Sequence, residues 1–178
     1  MSADARPAEV IQEGRSDLPP ADYIGETRRL YDSLGYDSYR WADRTDTPPA
    51  LTPLEKPLKE CKVMLVGSGG IYRHGQVAFT TKDDTSIRLI DRDTPDDELR
   101  TAHFAYDQAD ARQDPNVVFP LARLRELAAE GVIGEVAENA VAFMGGIYSI
   151  RRMETITAEL ILQQCRAQDP DVVLLVPV

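Results

Sequence analysis

The sequence contains few cysteines and histidines, the residues from which disulfide frameworks and many metal sites are built. Among its 178 residues there are two cysteines, Cys61 and Cys165, and two histidines. Two cysteines so far apart indicate neither a disulfide framework nor a zinc ligand set, and free cysteine is typically buried and inert. No apolar run approaches the length of a membrane-spanning helix, and the polar N-terminus is not that of a secretory signal peptide. We therefore expect a cytoplasmic protein without a membrane partner.

The sequence also has fewer basic than acidic residues. Twenty Lys and Arg residues oppose 30 Asp and Glu residues, which gives a formal net charge of −10. Such a chain repels phosphate backbones, so nucleic acid is not an expected partner. Apolar residues at 43% and charged residues at 28% are ordinary for a globular protein, and the length suits one domain with a substantial core.

Two apolar runs that end in the same tetrapeptide, GGIY, organise the chain. Val63–Val66 predicts a buried strand before Gly69–Tyr72, and a second apolar run precedes Gly145–Tyr148. If the two strands are parallel, both glycine loops lie at the carboxyl edge of the sheet, where open α/β proteins bind ligands. Backbone with so little side chain can approach a ligand closely and direct its N–H groups at an anion.

The rest of the pattern predicts helices and strands in alternation. Predicted helices are Asp22–Leu34, Pro120–Glu130 and Ser149–Ala167; predicted strands are Ile87–Ile90, Thr101–Phe104 and Val172–Val176; Asp107–Pro115 is a predicted loop. This order predicts an α/β, Rossmann-like layered domain with a mainly parallel sheet, behind an N-terminal extension. We expect a flexible tail at 1–20, a helix and Pro-rich connector at 21–60, and the α/β domain at 61–178.

Nucleotide binding is one chemistry that these residues suggest. Gly67, Ser68 and Gly69 begin a dinucleotide fingerprint after a strand, and Asp91 stands about where the ribose-binding acid is expected. However, Tyr72 occupies the third glycine position, and no helix is predicted after the loop.

Capture of a small carboxylate is a second chemistry. The predicted substrate-binding residues are Ser68, Gly69, Gly70, Tyr72, Arg73, Gly145, Gly146 and Tyr148. The glycine loops would supply N–H donors, and the tyrosines would supply hydroxyl groups. The alternative is that both GGIY segments are tight turns whose tyrosines pack on the core. His103, flanked by Ala102 and Phe104, is either a catalytic base or a structural histidine. The residues alone thus indicate a pocket but no reactive group.

Longer segments resemble a known family, the selenoprotein B component of glycine, sarcosine, betaine and D-proline reductases. The resemblance runs in order from Asp22 to Val178. Its segments are VGSGGIYRHGQ at Val66–Gln76, KDDTSIR at Lys82–Arg88, DTPDDELRTAHFAYD at Asp93–Asp107, DPNVVFPLARLRELAAEGVIGE at Asp114–Glu135 and FMGGIY at Phe143–Tyr148.

The resemblance implies an oxidoreductase that reductively cleaves a C–N bond of a small amino acid or related amine, with a disulfide as acceptor. Family members place selenocysteine or cysteine after a strand ending like Leu174–Val178. We therefore expect the redox-active residue directly after Val178, and expect the 178-residue chain to be incomplete at its C-terminus and inactive alone. A selenol is more acidic than a thiol, so more of it is anionic at neutral pH.

The resemblance also implies partners. This chain itself would hold no cofactor, whereas a partner subunit of such reductases carries a pyruvoyl group. Other reductase components or a thioredoxin-type reductant would supply electrons, and a homo-oligomer is left open. Two further functions remain as alternatives. One is a non-catalytic subunit that binds a small carboxylate or serves as a scaffold, and the other is a nucleotide-dependent oxidoreductase.

Overall fold

The computed structural model describes residues 22–37, 46–47, 52–81 and 83–178. The chain divides into two compact units, Met1–Pro48 and Pro49–Val178. The predicted tail at 1–20 and part of the Pro-rich connector lie outside the described residues.

The first unit contains helix α1, Tyr23–Ser33. Asp22 caps it, because its Oδ1 accepts a hydrogen bond of 2.9 Å from the Gly25 N–H. Gly35 follows its end at a φ of +72°, a conformation that favours glycine. The helix predicted at Asp22–Leu34 is confirmed.

The second unit alternates strands and helices. Its strands are β1 (Lys62–Gly67), β2 (Ile71–Arg73), β3 (Ile87–Asp91), β4 (Leu99–Thr101), β5 (Glu135–Val136), β6 (Asn139–Phe143) and β7 (Val172–Val176). Its helices are α2 (Ala109–Gln113), α3 (Leu121–Ala129), α4 (Ile150–Arg152) and α5 (Ala158–Gln168), with a π-helical turn at Met153–Thr157 and 3₁₀ turns at Leu58–Glu60, Asp96–Glu98 and Pro115–Val117. No helix in the described ranges is long and apolar enough to cross a membrane.

Strand β1 is the central strand of the larger sheet. Along one side of it lies β7, in parallel, from Val63 opposite Val172 to Gly67 opposite Val176. On the other side, β5 pairs with the beginning of β1 and β6 with its end, where Gly67 lies opposite Ala142. Strand β3 runs antiparallel to β6, and β2 and β4 form a separate antiparallel pair. This mixed, mostly parallel sheet confirms the α/β class, whereas the Rossmann-like arrangement stays a prediction.

The side chains of β1 alternate between two apolar layers, because successive residues of a strand point to opposite faces. Val63 and Leu65 belong to the larger core cluster, which includes Phe119 and residues of α3. Met64 and Val66 belong to the smaller cluster, which includes residues of α5. A strand covered on both faces explains the four consecutive apolar residues.

Two local predictions are wrong. The strand expected at Thr101–Phe104 lies instead at Leu99–Thr101, because its pairing with β2 places Thr101 opposite Ile71. The loop expected at Asp107–Pro115 contains α2. The helices predicted around α3 and α4–α5 are confirmed, although a π-helical turn interrupts the second.

Candidate active site at the carboxyl edge of the sheet

Ser68, directly after β1, joins three segments. Its N–H donates to Val176 O at 3.1 Å, and its carbonyl accepts from the Gly145 N–H at 2.9 Å. Its Oγ accepts a hydrogen bond of 2.9 Å from the Val178 N–H. The end of β7 and the second glycine loop therefore both meet the first glycine loop at this serine. We call Ser68, Gly69, Gly70, Gly145 and Gly146 the glycine edge.

The parallel arrangement of β1 and β6 brings the two glycine loops into direct contact, as the repeated GGIY segment predicts. Gly69 lies opposite Met144 in a β-bridge, and the Gly70 N–H donates to Phe143 O at 3.0 Å. Gly70 has a φ of +67°, and a Cβ atom there would overlap Ala102 O. Only glycine fits this position without strain.

The amide groups of the glycine edge are largely used within the protein. Those of Ser68, Gly70 and Gly145 donate to backbone carbonyls, and that of Gly146 lies 3.1 Å from Met144 Sδ. Three of the N–H groups predicted to capture a carboxylate therefore already have partners within the protein. A substrate-binding role for these residues stays a prediction, and a donor without a partner lies beside the glycine edge.

His103 supplies such a donor. Its side chain is 6% exposed, and its Nδ1 accepts a hydrogen bond of 3.0 Å from the Ala105 N–H. Burial lowers the pKa of the imidazole below its ordinary value of 6.5, which favours the neutral ring. Because Nδ1 accepts a hydrogen bond, the proton of the neutral ring lies on Nε2. This buried Nε2 has no hydrogen-bond partner among the described residues. A buried donor without an acceptor is costly, and it calls for a water molecule or a ligand.

Two aromatic residues that the sequence reasoning missed connect His103 to the glycine edge. The Tyr106 hydroxyl donates to Gly69 O at 2.8 Å, and its ring centroid lies 4.8 Å from that of His103. The Phe104 ring occupies the space that a Cβ at Gly146 would need. The signal was the aromatic cluster at 103–106, whose residues the apolar pattern alone did not assign to either loop.

The structure does not bring every predicted substrate-binding residue together. Tyr148 is largely exposed, with its ring 6.0 Å from that of Phe104 beside the glycine edge. Tyr72 and Arg73 lead away on β2. Tyr72 lines a separate cavity of about 250 Å³ with Arg100, and Arg73 is exposed.

The parts of the nucleotide fingerprint lie at opposite ends of the sheet. Strand β3 is antiparallel, so Asp91 lies opposite Asn139, the first residue of β6. The glycine loops follow the other ends of β1 and β6, and β2 rather than a helix follows the first loop. This geometry does not support the nucleotide-dependent alternative.

Neither cysteine has the surroundings of a reactive nucleophile. Cys61 is fully buried before β1, with its Sγ 3.4 Å from Pro57 O. Burial raises the pKa of the Cys165 thiol on α5, which disfavours the thiolate. In the part of the chain that the structure describes, no three His, Cys, Asp or Glu residues form a metal-ligand group.

Comparison with known proteins identifies the family. The family model for glycine/sarcosine/betaine reductase selenoprotein B matches residues 41–177. The chain belongs to this selenoprotein B family. The resemblance seen in the sequence is thereby confirmed, and no solved structure matches the chain.

Curated relatives of this selenoprotein B family member are subunits of amino-acid reductases. The D-proline reductase subunit gamma of Acetoanaerobium sticklandii is 34% identical over 128 residues, which are 72% of this chain and 53% of that protein. The sarcosine reductase complex component B subunit beta of Peptoclostridium acidaminophilum is 36% identical over 103 residues, 55% of this chain and 23% of that protein. The glycine reductase complex component B subunit gamma of Carboxydothermus hydrogenoformans is 31% identical over 139 residues, 75% and 31% respectively. The chain thus spans about half the length of the first relative and less of the others.

Proposed function

We propose that the chain forms the substrate-binding part of a selenoprotein component of a glycine, sarcosine, betaine or D-proline reductase system. The system cleaves a C–N bond of a small amino acid or related amine reductively, with a disulfide as acceptor. Membership of the selenoprotein B family supports the class of reaction. The observation that carries the proposal for this chain is the hydrogen bond between Val178 and Ser68, which holds the end of β7 at the glycine edge.

The proposed redox residue, selenocysteine or cysteine, is bonded directly to Val178. Val178 Cγ2 lies 3.5 Å from the position that a Cβ on Gly69 would take, so a residue joined to Val178 begins beside the glycine edge. The chemistry that such a centre supplies is nucleophilic. A carbon–selenium or carbon–sulfur bond forms as the C–N bond breaks, and the amine leaves with the bonding electron pair and takes up a proton. A dithiol then releases the carbon, which takes up a proton, and restores the centre while the dithiol becomes a disulfide.

Residues of this chain would orient the substrate. The His103 Nε2–H is a buried, unpartnered donor that suits a substrate carboxylate. The exposed ring of Tyr148, which stacks beside Phe104, suits the positively charged nitrogen of an amino acid or of betaine. Ser68 holds the end of β7 in place and does not itself react.

The remaining parts of the proposal concern other molecules. Other reductase components or a thioredoxin-type protein supply the electrons, and a partner subunit carries the pyruvoyl group. The assembly works in the cytoplasm.

Turnover by the native protein tests this function. The gene product, purified with its partner components, is incubated with a dithiol and separately with glycine, sarcosine, betaine or D-proline, and the deaminated acid or ring-opened product is quantified by mass spectrometry. We expect one of these substrates to be reduced. Loss of its binding by one to two orders of magnitude in His103→Leu, with partial rescue in His103→Gln, would support the donor role. Turnover of none of the four, with no binding in calorimetry, would contradict the proposal.

A non-catalytic binding subunit is the second candidate. The unpartnered His103 Nε2–H supports it, because such a donor can bind a carboxylate without any reactive thiol. A complex that binds one of the four substrates, yet never turns it over with any partner component, would distinguish this candidate from the reductase.

A further inference from the structure

The two edges of the larger sheet differ in how the chain protects them. Strand β3 forms one edge and is covered by the chain itself. The Gln76 amide donates to Leu89 O at 2.9 Å, and the Arg88 guanidinium donates to Val77 O at 2.7 Å while lying over the Phe79 ring. Charged side chains and covering loops of this kind are the usual protection of an edge strand.

Strand β7 forms the other edge and lacks such protection. Among the described residues it pairs only with β1. All five of its residues, Val172–Val176, are apolar, which is the pattern of a parallel strand with neighbours on both sides and layers on both faces. Yet Val173 and Leu174 are exposed, and Leu175 is 67% exposed. A strand whose sequence is typical of the interior of a sheet therefore lies at its edge.

An apolar groove of about 590 Å³ lies between β7 and α5. The residues that line it include Met153, Leu162, Cys165, Val173, Leu175 and Pro177. Helix α5 fully buries none of its residues, although its sequence is amphipathic. Strand and helix thus present apolar surface to the same space.

The topology indicates what would fill this space. The connection from β6 through α5 to β7 crosses this face of the sheet. A further connection of the same hand, continuing in the same direction, places its helix on the same face beside α5 and its strand along the free edge of β7. Pro177, directly after β7, lines the groove together with Ser68. The matched region covers 53% of the D-proline reductase subunit gamma, so that relative has further chain outside it.

We propose that polypeptide following Val178 in the same protein fills the groove, with an amphipathic helix between α5 and β7 and a strand paired to the free edge of β7. The inference rests on the proposed function in one respect, namely that a longer polypeptide carries the redox residue. It adds that the chain is held on both sides of this residue. The hydrogen bond between Val178 and Ser68 holds the preceding segment, and the groove holds the following one.

Alkylation of Cys165 tests the proposal, because its thiol lines the groove while Cys61 is fully buried. The longer gene product and a version stopped after Val178 are treated with a maleimide, and peptide mapping reads each cysteine separately. We expect Cys165 to react about tenfold or more slowly in the longer product, with Cys61 unreactive in both as the control. Equal rates at Cys165, or protection that arises only when a partner subunit is added, would overturn the proposal.

A second pair of variants covers the case in which the stopped version does not fold. In the longer product, Leu175→Glu would place a charge under the proposed helix, whereas Val77→Glu at a 79% exposed position would not. We expect the first to lower the unfolding midpoint by about 5 °C or more and the second to leave it nearly unchanged. Equal, small effects would contradict the proposal.

The groove proposal and the proposed function can be contradicted independently of each other. A protein that turns over substrate while Cys165 reacts freely contradicts the groove proposal alone. A longer product with a protected Cys165 and no turnover supports the groove proposal and contradicts the reductase.

Discussion

The Val178 amide donates to Ser68 Oγ, and the Ser68 amide donates to Val176 O, so two hydrogen bonds of opposite direction hold the end of β7 against the first glycine loop. The Ser68 carbonyl also accepts a hydrogen bond from the Gly145 amide. One residue thereby sets the positions of the two glycine loops and of the chain segment on which the proposed redox residue depends.

Ser68→Ala removes the acceptor of the Val178 amide. We expect the free energy of unfolding in urea to fall by about 1 kcal/mol, because one partly buried hydrogen bond is lost. Thr155→Ala, which removes an exposed hydroxyl bond to Arg151 O, is the control and should change little. Faster hydrogen exchange at the end of β7 in Ser68→Ala would accompany the loss. Unchanged stability and exchange would show that this bond does not hold the segment.

Gly70→Ala tests the close packing of the glycine edge. The new methyl group would overlap Ala102 O, and the residue would have to keep a φ of +67°. We expect destabilisation by more than about 2 kcal/mol. Gly75→Ala is the matched control, since Gly75 also has a positive φ but its Cβ would meet nothing within 4 Å. That variant should lose only about 1 kcal/mol, and equal losses in both would contradict the predicted overlap.

His103 should make stability depend on pH. Burial lowers the pKa of the folded-state imidazole below 6.5, so the unfolded state takes up a proton more readily. The stability that the neutral ring contributes is therefore fully present above the unfolded pKa and is lost as the pH falls from about 6.5 to the lower folded pKa. The difference in unfolding free energy between the wild type and His103→Gln should change over this range. A difference that stays constant across this range would contradict the prediction.

Tyr106→Phe separates the hydroxyl of Tyr106 from its ring. The hydroxyl donates a hydrogen bond to Gly69 O and lies 2.9 Å from Thr101 Oγ1. Its removal should lower the free energy of unfolding by about 1 kcal/mol, while the ring contact with His103 remains. Tyr72→Phe, in the separate cavity on β2, is the control. Substrate affinity should fall in Tyr106→Phe more than in Tyr72→Phe. The reverse order would place the binding site at Tyr72 instead.

The parts of the fold that sequence predicts best are those with long, uninterrupted patterns. The apolar runs of β1 and β7 and the amphipathic stripe of α3 are each long enough to identify the element without knowledge of its neighbours. The shared tetrapeptide correctly indicates that Gly69 and Gly145 meet at one edge, because parallel strands end on the same side.

Features that depend on pairing were not predictable in the same way. The position of β4 is set by its three-residue pairing with β2, for which the local pattern carries no register. The use of the Gly70 and Gly145 amides by neighbouring carbonyls follows only once both loops are in place. Likewise, the bond from Tyr106 to Gly69 spans 37 residues and leaves no periodic signal.

The residue bonded to Val178 in the native gene product is the most direct test of the central claim. Peptide mapping by mass spectrometry reads it, and the isotope pattern of selenium distinguishes selenocysteine from cysteine. We predict a peptide that continues from Val178 into selenocysteine or cysteine. Any other residue at that position, or a free carboxylate on Val178, would contradict the proposal that the glycine edge serves a redox centre on the same chain.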